Sequence, residues 1–174
     1  RKIATKNNIV LVFDECTSGF RETFGGLHKK YGVYPDMAVF GKALGNGYAI
    51  TAVLGTQVIM EVAQSSFISS TFWTERIGPV AGLKTLEIME QEKSWEIITK
   101  IGKQIGEEWL KLAKKHNLPI KTYGLPALVS FTIPVKNWIK YKTLITQEML
   151  KMGFLATNTI YVCIEHKQKL IDKY

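Results

Sequence analysis

Two short apolar runs that each lead into a charged residue constrain the fold of this chain more than any other feature. Residues 9–13 (IVLVF) are followed by Asp14, and residues 37–40 (MAVF) are followed by Gly41 and Lys42. Continuous apolar runs with β-branched residues are typical of strands that are buried on both faces of a sheet. Ligands of such sheets bind at the carboxyl ends of the strands, so Asp14 and Lys42 are expected to meet one ligand there.

Further strands and helices alternate along the chain, which predicts an α/β or α+β fold. The remaining strands are predicted at 51–55, 127–133 and 160–164. Helical periodicity predicts one helix from about Pro79, a longer one from Ser94 and a third over 138–152. The buried stripes of the first two helices are expected to be Val80, Leu83, Leu86 and Met89, and Trp95, Ile98, Ile101, Ile105, Trp109 and Leu112.

The composition is that of a soluble globular protein without an apolar run long enough to cross a membrane. The 174 residues are 46% hydrophobic and 22% charged. Only two cysteines are present, Cys16 and Cys163, which favours a reducing compartment and hence the cytoplasm. The sequence opens on Arg1 without a methionine, and we interpret it as part of a longer protein.

The net charge of +8 is distributed unevenly along the chain. Residues 1–95 carry ten Lys/Arg and nine Asp/Glu, which gives +1, and residues 96–174 carry thirteen and six, which gives +7. The excess lysines fall on the polar faces of predicted helices and indicate a solvated surface rather than a nucleic-acid site. The change in composition near residue 95 is the best candidate for a domain boundary.

Nucleotide and metal motifs do not account for the glycine–lysine pair. A Walker A loop would need glycine at Asp36 and serine or threonine at Ala43, and a dinucleotide fingerprint would need glycine at Ile50. The three histidines are far apart in sequence and have no further ligands at metal-binding spacing, so no metal site is expected.

Three linked motifs resemble the class III aminotransferases, a group of fold-type I pyridoxal-phosphate enzymes with members similar to glutamate-1-semialdehyde aminomutase. The motifs are LVFDECTSGFR at 11–21, PDMAVFGKALGNGYAITAVLG at 35–55 and SSTFWTERIGPVAGLKTLE at 69–87. The resemblance implies that residues 1–95 form the C-terminal part of a large domain with a mostly parallel sheet. Residues 96–174 would then form a small α+β domain that is entered through a long helix.

The resemblance also implies roles for four residues near the first two strands. Lys42 matches the lysine that forms a Schiff base with pyridoxal 5'-phosphate and later acts as a general base, and it is expected to be desolvated. Asp14 matches the carboxylate that pairs with the pyridine nitrogen of this cofactor. Cys16 stands where the family usually has valine against the ring, and Thr17 is placed to reach the ring hydroxyl.

The third motif implies a contribution to the cofactor phosphate. Ser70 and Thr71 match a hydroxyl pair that usually reaches the phosphate of the neighbouring subunit, so a homodimer with Thr71 acting in trans is expected. Arg21 either binds a substrate carboxylate or makes a structural salt bridge. The loop that binds most of the phosphate in this family lies upstream of the aspartate strand, outside this sequence.

The implied reaction is transfer of an amino group between an amino compound and a keto acid or aldehyde. An intramolecular aminomutase would use the same residues, and a truncated chain that holds no cofactor is the non-catalytic alternative. A basic nucleic-acid module has only the charge of residues 96–174 to support it.

Overall fold

The computed structural model describes all of residues 1–174, which form two compact units, Arg1–Ser94 and Trp95–Tyr174. Each unit contains its own small sheet, of three strands in the first and two in the second. No helix combines the length and the apolar character that a membrane span requires.

The first unit contains three strands and four helices. They are α1 (Lys2–Lys6), β1 (Val12–Asp14), α2 (His28–Tyr31), β2 (Met37–Phe40), β3 (Ala52–Gly55), α3 (Gln57–Glu61) and α4 (Ile77–Glu92), with 3-10 turns at Lys42–Leu44 and Val62–Ser65. The three strands predicted for this half of the chain are therefore present. The first strand is shorter than its apolar run and begins at Val12.

The sheet of the first unit has the order β1-β2-β3. Strands β1 and β2 are parallel, with Asp14 opposite Val39, whereas β3 is antiparallel to β2. The backbone N–H of Glu15 donates to the Val39 carbonyl at 2.8 Å and extends the parallel pairing by one residue. Because both parallel strands end at the same edge, the residues that follow them are delivered to the same place.

The core of the first unit is built on the central strand. Ala38 and Phe40 of β2 are buried together with Leu44 of the following turn. The partly buried side chains that pack against them come from loops, from β3 and from α4; they are Phe20, Ile50, Ala52 and Leu86. This packing fixes the turn that carries Lys42 against the end of β2.

Helix α4 begins two residues before Pro79, and two residues of its predicted buried stripe are exposed to solvent. Val80 and Leu83 are 65% and 70% exposed. The buried face instead carries Gly78 and Gly82, where a side chain would contact the backbone of Ala49 or the side chain of Ile50. The helix approaches its neighbours through glycines, which a search for apolar periodicity does not detect.

The second unit contains three helices and two strands. They are α5 (Ser94–Lys115), β4 (Lys121–Tyr123), β5 (Ser130–Thr132), α6 (Trp138–Lys151) and α7 (Gln168–Lys173), with a 3-10 turn at Pro126–Leu128. Strands β4 and β5 are antiparallel. The predicted α5 and α6 are confirmed, and α6 is followed by Gly153 with a positive φ of 85°, as expected at a helix end.

Of two strands predicted in the second unit, one is shorter than predicted and the other is absent. The run 127–133 is a 3-10 turn followed by the three-residue β5. The run 160–164 forms no strand, although Ile160 and Val162 donate backbone hydrogen bonds to Val129 and Ala127. These alternate bonds line the segment up beside residues 127–129, but they do not build the regular ladder that its β-branched residues predict.

The core of the second unit lies between α5 and β5. Trp109 of α5 meets Phe131 of β5 edge to face, with ring centroids 4.8 Å apart, and Ile105 and Val129 complete the buried cluster. Leu112 belongs to the predicted buried stripe but is 53% exposed. The buried face of α5 carries Ala113 in its place.

We expect Gly102→Ala to destabilise the second unit. A Cβ at Gly102 would overlap the carbonyl oxygen of Pro126, a backbone atom that cannot rotate away. The overlap is expected to lower the free energy of unfolding by about 2 kcal/mol, a typical cost of overpacking. The measurement is urea denaturation of the variant beside wild type.

Gly106→Ala is the matched control for this substitution. Gly106 lies one turn later on α5, and its Cβ would meet only the Val129 side chain, at 3.2 Å. Because alanine also favours helix, this variant should unfold close to wild type or be more stable. Equal destabilisation by both substitutions would contradict the interpretation.

Candidate functional site

The carboxylate of Asp14 and the amine of Lys42 lie within electrostatic range at the shared end of β1 and β2. Asp14 is exposed, and its Oδ1 accepts a hydrogen bond from the Cys16 amide at 3.0 Å. Hydrogen bonds from the Cys16 backbone and side chain, together with the positive charge of Lys42, lower the pKa of Asp14. Asp14 is therefore anionic at neutral pH and presents a negative charge at this edge.

Lys42 projects from a tight turn whose backbone sets the direction of its side chain. Its φ of 46° lies in the left-handed region, which is uncommon for a residue with a Cβ and which clusters at functional sites. The turn is closed by hydrogen bonds from the amides of Gly45 and Asn46 to the Lys42 carbonyl. The amine donates to the Thr17 hydroxyl, Nζ to Oγ1, at 2.5 Å.

The exposure of Lys42 differs from the expectation of a desolvated amine. The side chain lies at the surface of the first unit, because the loops after β1 and β2 flank it without covering it. The residues described here thus direct the amine but do not enclose it.

Cys16 lies beside the same turn. A Cβ built on Gly41 would stand 3.6 Å from its Sγ, so the thiol lies beside the residue that precedes Lys42. Burial and the neighbouring Asp14 carboxylate raise the pKa of Cys16. The thiol is therefore protonated at neutral pH and behaves as a small, weakly polar contact.

Glu15 organises the loop that follows β1, and the sequence reasoning did not single it out. Its side chain is 4% exposed. Its carboxylate accepts hydrogen bonds from Ser18 Oγ at 2.6 Å, the Leu27 amide at 2.8 Å and the His28 amide at 2.9 Å. The His28 ring nitrogen Nδ1 lies 3.0 Å from the same carboxylate. The sequence signal was the second acid directly after the strand, which points inward because Asp14 points outward.

These bonds also set the pKa of Glu15. Burial alone would raise its pKa, but the hydrogen bonds from Ser18, His28 and Leu27 outweigh that effect and lower it. An ionised Glu15 therefore holds residues 16–28 in one conformation and fixes Thr17 beside Lys42.

Arg21 contacts the backbone of the loop after β1, and the Ser70–Thr71 pair lies in an exposed loop. Arg21 Nε donates to the Thr17 carbonyl at 3.4 Å, so its side chain lies along the loop. Ser70 Oγ accepts a hydrogen bond from the Phe72 amide at 3.2 Å, and both Ser70 and Thr71 are exposed. The structure brings together Asp14, Cys16, Thr17 and Lys42. No hydrogen bond joins these four residues to the Ser70–Thr71 pair.

A negatively charged carboxylate and a primary amine at one sheet edge define a site with two chemical capabilities. The carboxylate can stabilise a cationic ring nitrogen or another proton-bearing group. The amine can add to an aldehyde or ketone and can exchange protons with a bound molecule.

The fold is found in solved structures of fold-type I transferases. The chain superposes on the FumI protein of Sphingopyxis sp. MTA144, solved in its PLP internal aldimine form, with a TM-score of 0.93 and 22% identity. The match covers 99% of this chain and 42% of FumI. The first unit therefore has the architecture of a fold-type I transferase around the two strand ends.

Sequence comparison identifies the family. The model of the family Aminotransferase class-III matches residues 1–163, and the chain belongs to that family. This confirms the resemblance carried by the three motifs around Asp14, Lys42 and Thr71.

Two curated relatives differ in activity. A 3-aminobutyryl-CoA aminotransferase of Cloacimonas acidaminovorans is 38% identical over 84% of this chain and 36% of its own length. A glutamate-1-semialdehyde 2,1-aminomutase of Methanocaldococcus jannaschii is 27% identical over 99% of this chain and 44% of its own. The chain thus spans less than half the length of either relative.

We expect Glu15→Gln to destabilise the first unit in a pH-dependent way. The amide cannot accept all the hydrogen bonds that the carboxylate accepts, so unfolding free energy should fall by about 2 kcal/mol at pH 7. The lowered pKa means that this stabilisation is present above the pKa of the unfolded chain and is lost as the pH falls through the folded value. The difference from wild type should therefore shrink below about pH 4.5.

The measurement is urea denaturation across this pH range, with Glu90→Gln as the control. Glu90 is exposed on α4, so its substitution removes the same charge without breaking the loop. A Glu15→Gln effect that is equal to the control, or that persists unchanged in acid, would contradict the role of Glu15.

Proposed function

We propose that this chain supplies the lysine and aspartate of a pyridoxal 5'-phosphate site in an enzyme that transfers an amino group between an amino compound and a keto acid or aldehyde. The single observation that carries the proposal is the convergence of an anionic Asp14 and the Lys42 amine at one edge of the sheet. In this proposal Arg1–Ser94 is the C-terminal part of the cofactor-binding large domain, and Trp95–Tyr174 is the small domain.

The donor set at the edge fits the two ends of the cofactor ring. Asp14 supplies an anion for the ring nitrogen, and Lys42 supplies the amine for the aldehyde carbon, while Cys16 and Thr17 would lie beside the ring. Ser70 and Thr71 would hold the phosphate. When bound, the cofactor serves as an electron sink for the substrate carbanion.

Asp14 would hold a proton on the ring nitrogen of the cofactor by remaining anionic. Its lowered pKa supports this role, since a carboxylate that resists protonation keeps its partner cationic at neutral pH. The hydrogen bond from the Cys16 amide to Oδ1 holds the carboxylate at the end of β1.

Lys42 would be the residue that bonds to the aldehyde carbon of the cofactor, and its freed amine would exchange the proton at the substrate carbon that bears the amino group. Its turn sets the side-chain direction through the left-handed backbone and the Thr17 hydrogen bond. A base held in one direction exchanges protons with one face of the substrate, which favours a single stereochemical outcome.

An intramolecular aminomutase is the second candidate, and the relative that matches almost the whole chain favours it. Both activities would use Asp14 and Lys42. Product analysis separates them, because a transaminase converts its amino donor into a keto compound, whereas an aminomutase returns an isomer of its substrate.

The exposed Ser70–Thr71 pair supports a homodimer in which each subunit completes the site of the other. Thr71 makes no hydrogen bond with the Asp14–Lys42 edge of its own chain. The large apolar side chains that follow are also exposed, with Trp73 67% and Ile77 63% accessible. An apolar surface beside a hydroxyl pair is suited to contact with a second subunit.

Borohydride reduction in the presence of pyridoxal 5'-phosphate is expected to attach the pyridoxyl group to Lys42. Peptide mass mapping locates the attachment, and Lys42→Ala should abolish it and lower amino transfer by about a thousandfold. Lys84→Ala is the control, since Lys84 is an exposed lysine that pairs with Glu87. A protein that takes no cofactor, or takes it elsewhere, would support the non-catalytic alternative.

Mixed dimers test the proposed position of Thr71. If Thr71 acts in trans, an equal mixture of Lys42→Ala and Thr71→Val subunits contains hybrids with one intact site. Activity should then recover to about a quarter of wild type after subunit exchange, since half the dimers are hybrids with one of two sites intact. Each variant dimer alone is the control, and no recovery in verified hybrids would contradict the trans arrangement.

A further inference from the structure

We propose that Thr17 is a positioning residue for Lys42, and that its hydroxyl holds the amine in place whenever the lysine is not bonded to a ligand. The observation is the hydrogen bond between Lys42 Nζ and Thr17 Oγ1, which joins residues 25 apart in sequence. This inference rests on the proposed function of Lys42 and adds to it the device that directs the amine.

The loop around Thr17 is held on both sides by the acids that end β1. The residue before it, Cys16, donates its amide to Asp14 at 3.0 Å, and the residue after it, Ser18, donates its hydroxyl to Glu15 at 2.6 Å. Arg21 Nε contacts the Thr17 carbonyl at 3.4 Å. Since these bonds restrain the backbone on each side, the Thr17 side chain has a defined position toward the neighbouring strand end.

Lys42 is restrained from the opposite side by its own turn. The amides of Gly45 and Asn46 donate to its carbonyl, at 3.2 and 3.1 Å. The left-handed φ of 46° fixes the direction in which its side chain leaves the backbone. Four rotatable bonds still separate that backbone from the amine, so a surface lysine would sample many positions without a partner at its tip.

A hydroxyl suits this task in both protonation states of the amine. It can accept a hydrogen bond from an ammonium group, and it can donate one to the lone pair of a neutral amine. Valine has nearly the same shape as threonine but can do neither, whereas serine can do both. The Thr17→Val and Thr17→Ser variants therefore separate the hydroxyl from the volume of the side chain.

The first test measures the Lys42 amine in cofactor-free protein by competitive amidination with methyl acetimidate and mass spectrometry. Lys84 serves as the internal reference. We expect Thr17→Val to raise the reactivity of Lys42 relative to Lys84 about fivefold, which corresponds to about 1 kcal/mol for the lost hydrogen bond. Thr17→Ser should match wild type.

The second test follows the capture of pyridoxal 5'-phosphate by absorbance. Thr17→Val should slow capture about fivefold although its amine reacts faster with the small reagent, because the amine is free but no longer directed. Opposite changes in the two rates are specific to positioning. Thr51→Val is the control, because Thr51 lies beside the same turn, 3.4 Å from a Cβ built on Gly41, and makes no bond to the amine.

Unchanged rates in Thr17→Val, or a Thr17→Ser variant that behaves like valine, would overturn the inference. A wild-type protein that captures no cofactor on Lys42 would overturn the proposed function. The amidination comparison would still decide the role of Thr17, because it uses protein without cofactor.

Discussion

The parallel pairing of β1 with β2 is the constraint on which the site depends. It places Asp14 opposite Val39, so the acid that ends one strand and the lysine that follows the next strand reach the same edge. An antiparallel pair would have sent the two groups to opposite ends of the sheet. The burial of Ala38, Phe40 and Leu44 keeps this pairing in register, since a shift by one residue would turn the core side chains outward.

Two adjacent acids at the end of β1 have different roles. Asp14 faces the edge and stays ionised through the Cys16 hydrogen bonds and the nearby Lys42. Glu15 faces inward, where Ser18, Leu27 and His28 satisfy its buried carboxylate. Asp14 is thus available for a ligand, while Glu15 holds the loop. The two side chains point in opposite directions because side chains alternate along a strand.

The sequence predicted the parts of the fold that local patterns determine. The three strands of the first unit and the helices α5 and α6 follow from apolar runs and periodicity. The face of α4 was misjudged because Gly78 and Gly82 bury backbone rather than side chains. The segment 160–164 was taken for a strand because β-branched residues favour one, whereas its backbone makes only alternate hydrogen bonds with residues 127–129.

The candidate site was predictable to a similar degree. Family resemblance grouped Asp14, Cys16, Thr17 and Lys42, and the two strand ends bring these four residues near each other. The bond between Thr17 and Lys42 joins residues that lie 25 positions apart in the sequence. The Glu15 carboxylate binds the amides of Leu27 and His28, which lie 12 and 13 positions away. Such distant pairs leave no local pattern, so they required the folded chain.

A crystal structure of the protein with pyridoxal 5'-phosphate bound would test directly whether Asp14 and Lys42 hold the two ends of the cofactor ring. We expect continuous density from Lys42 Nζ to the aldehyde carbon of the cofactor, with the Asp14 carboxylate at hydrogen-bond distance from the ring nitrogen. A cofactor bound away from this edge, or bound with its ring nitrogen turned from Asp14, would contradict it.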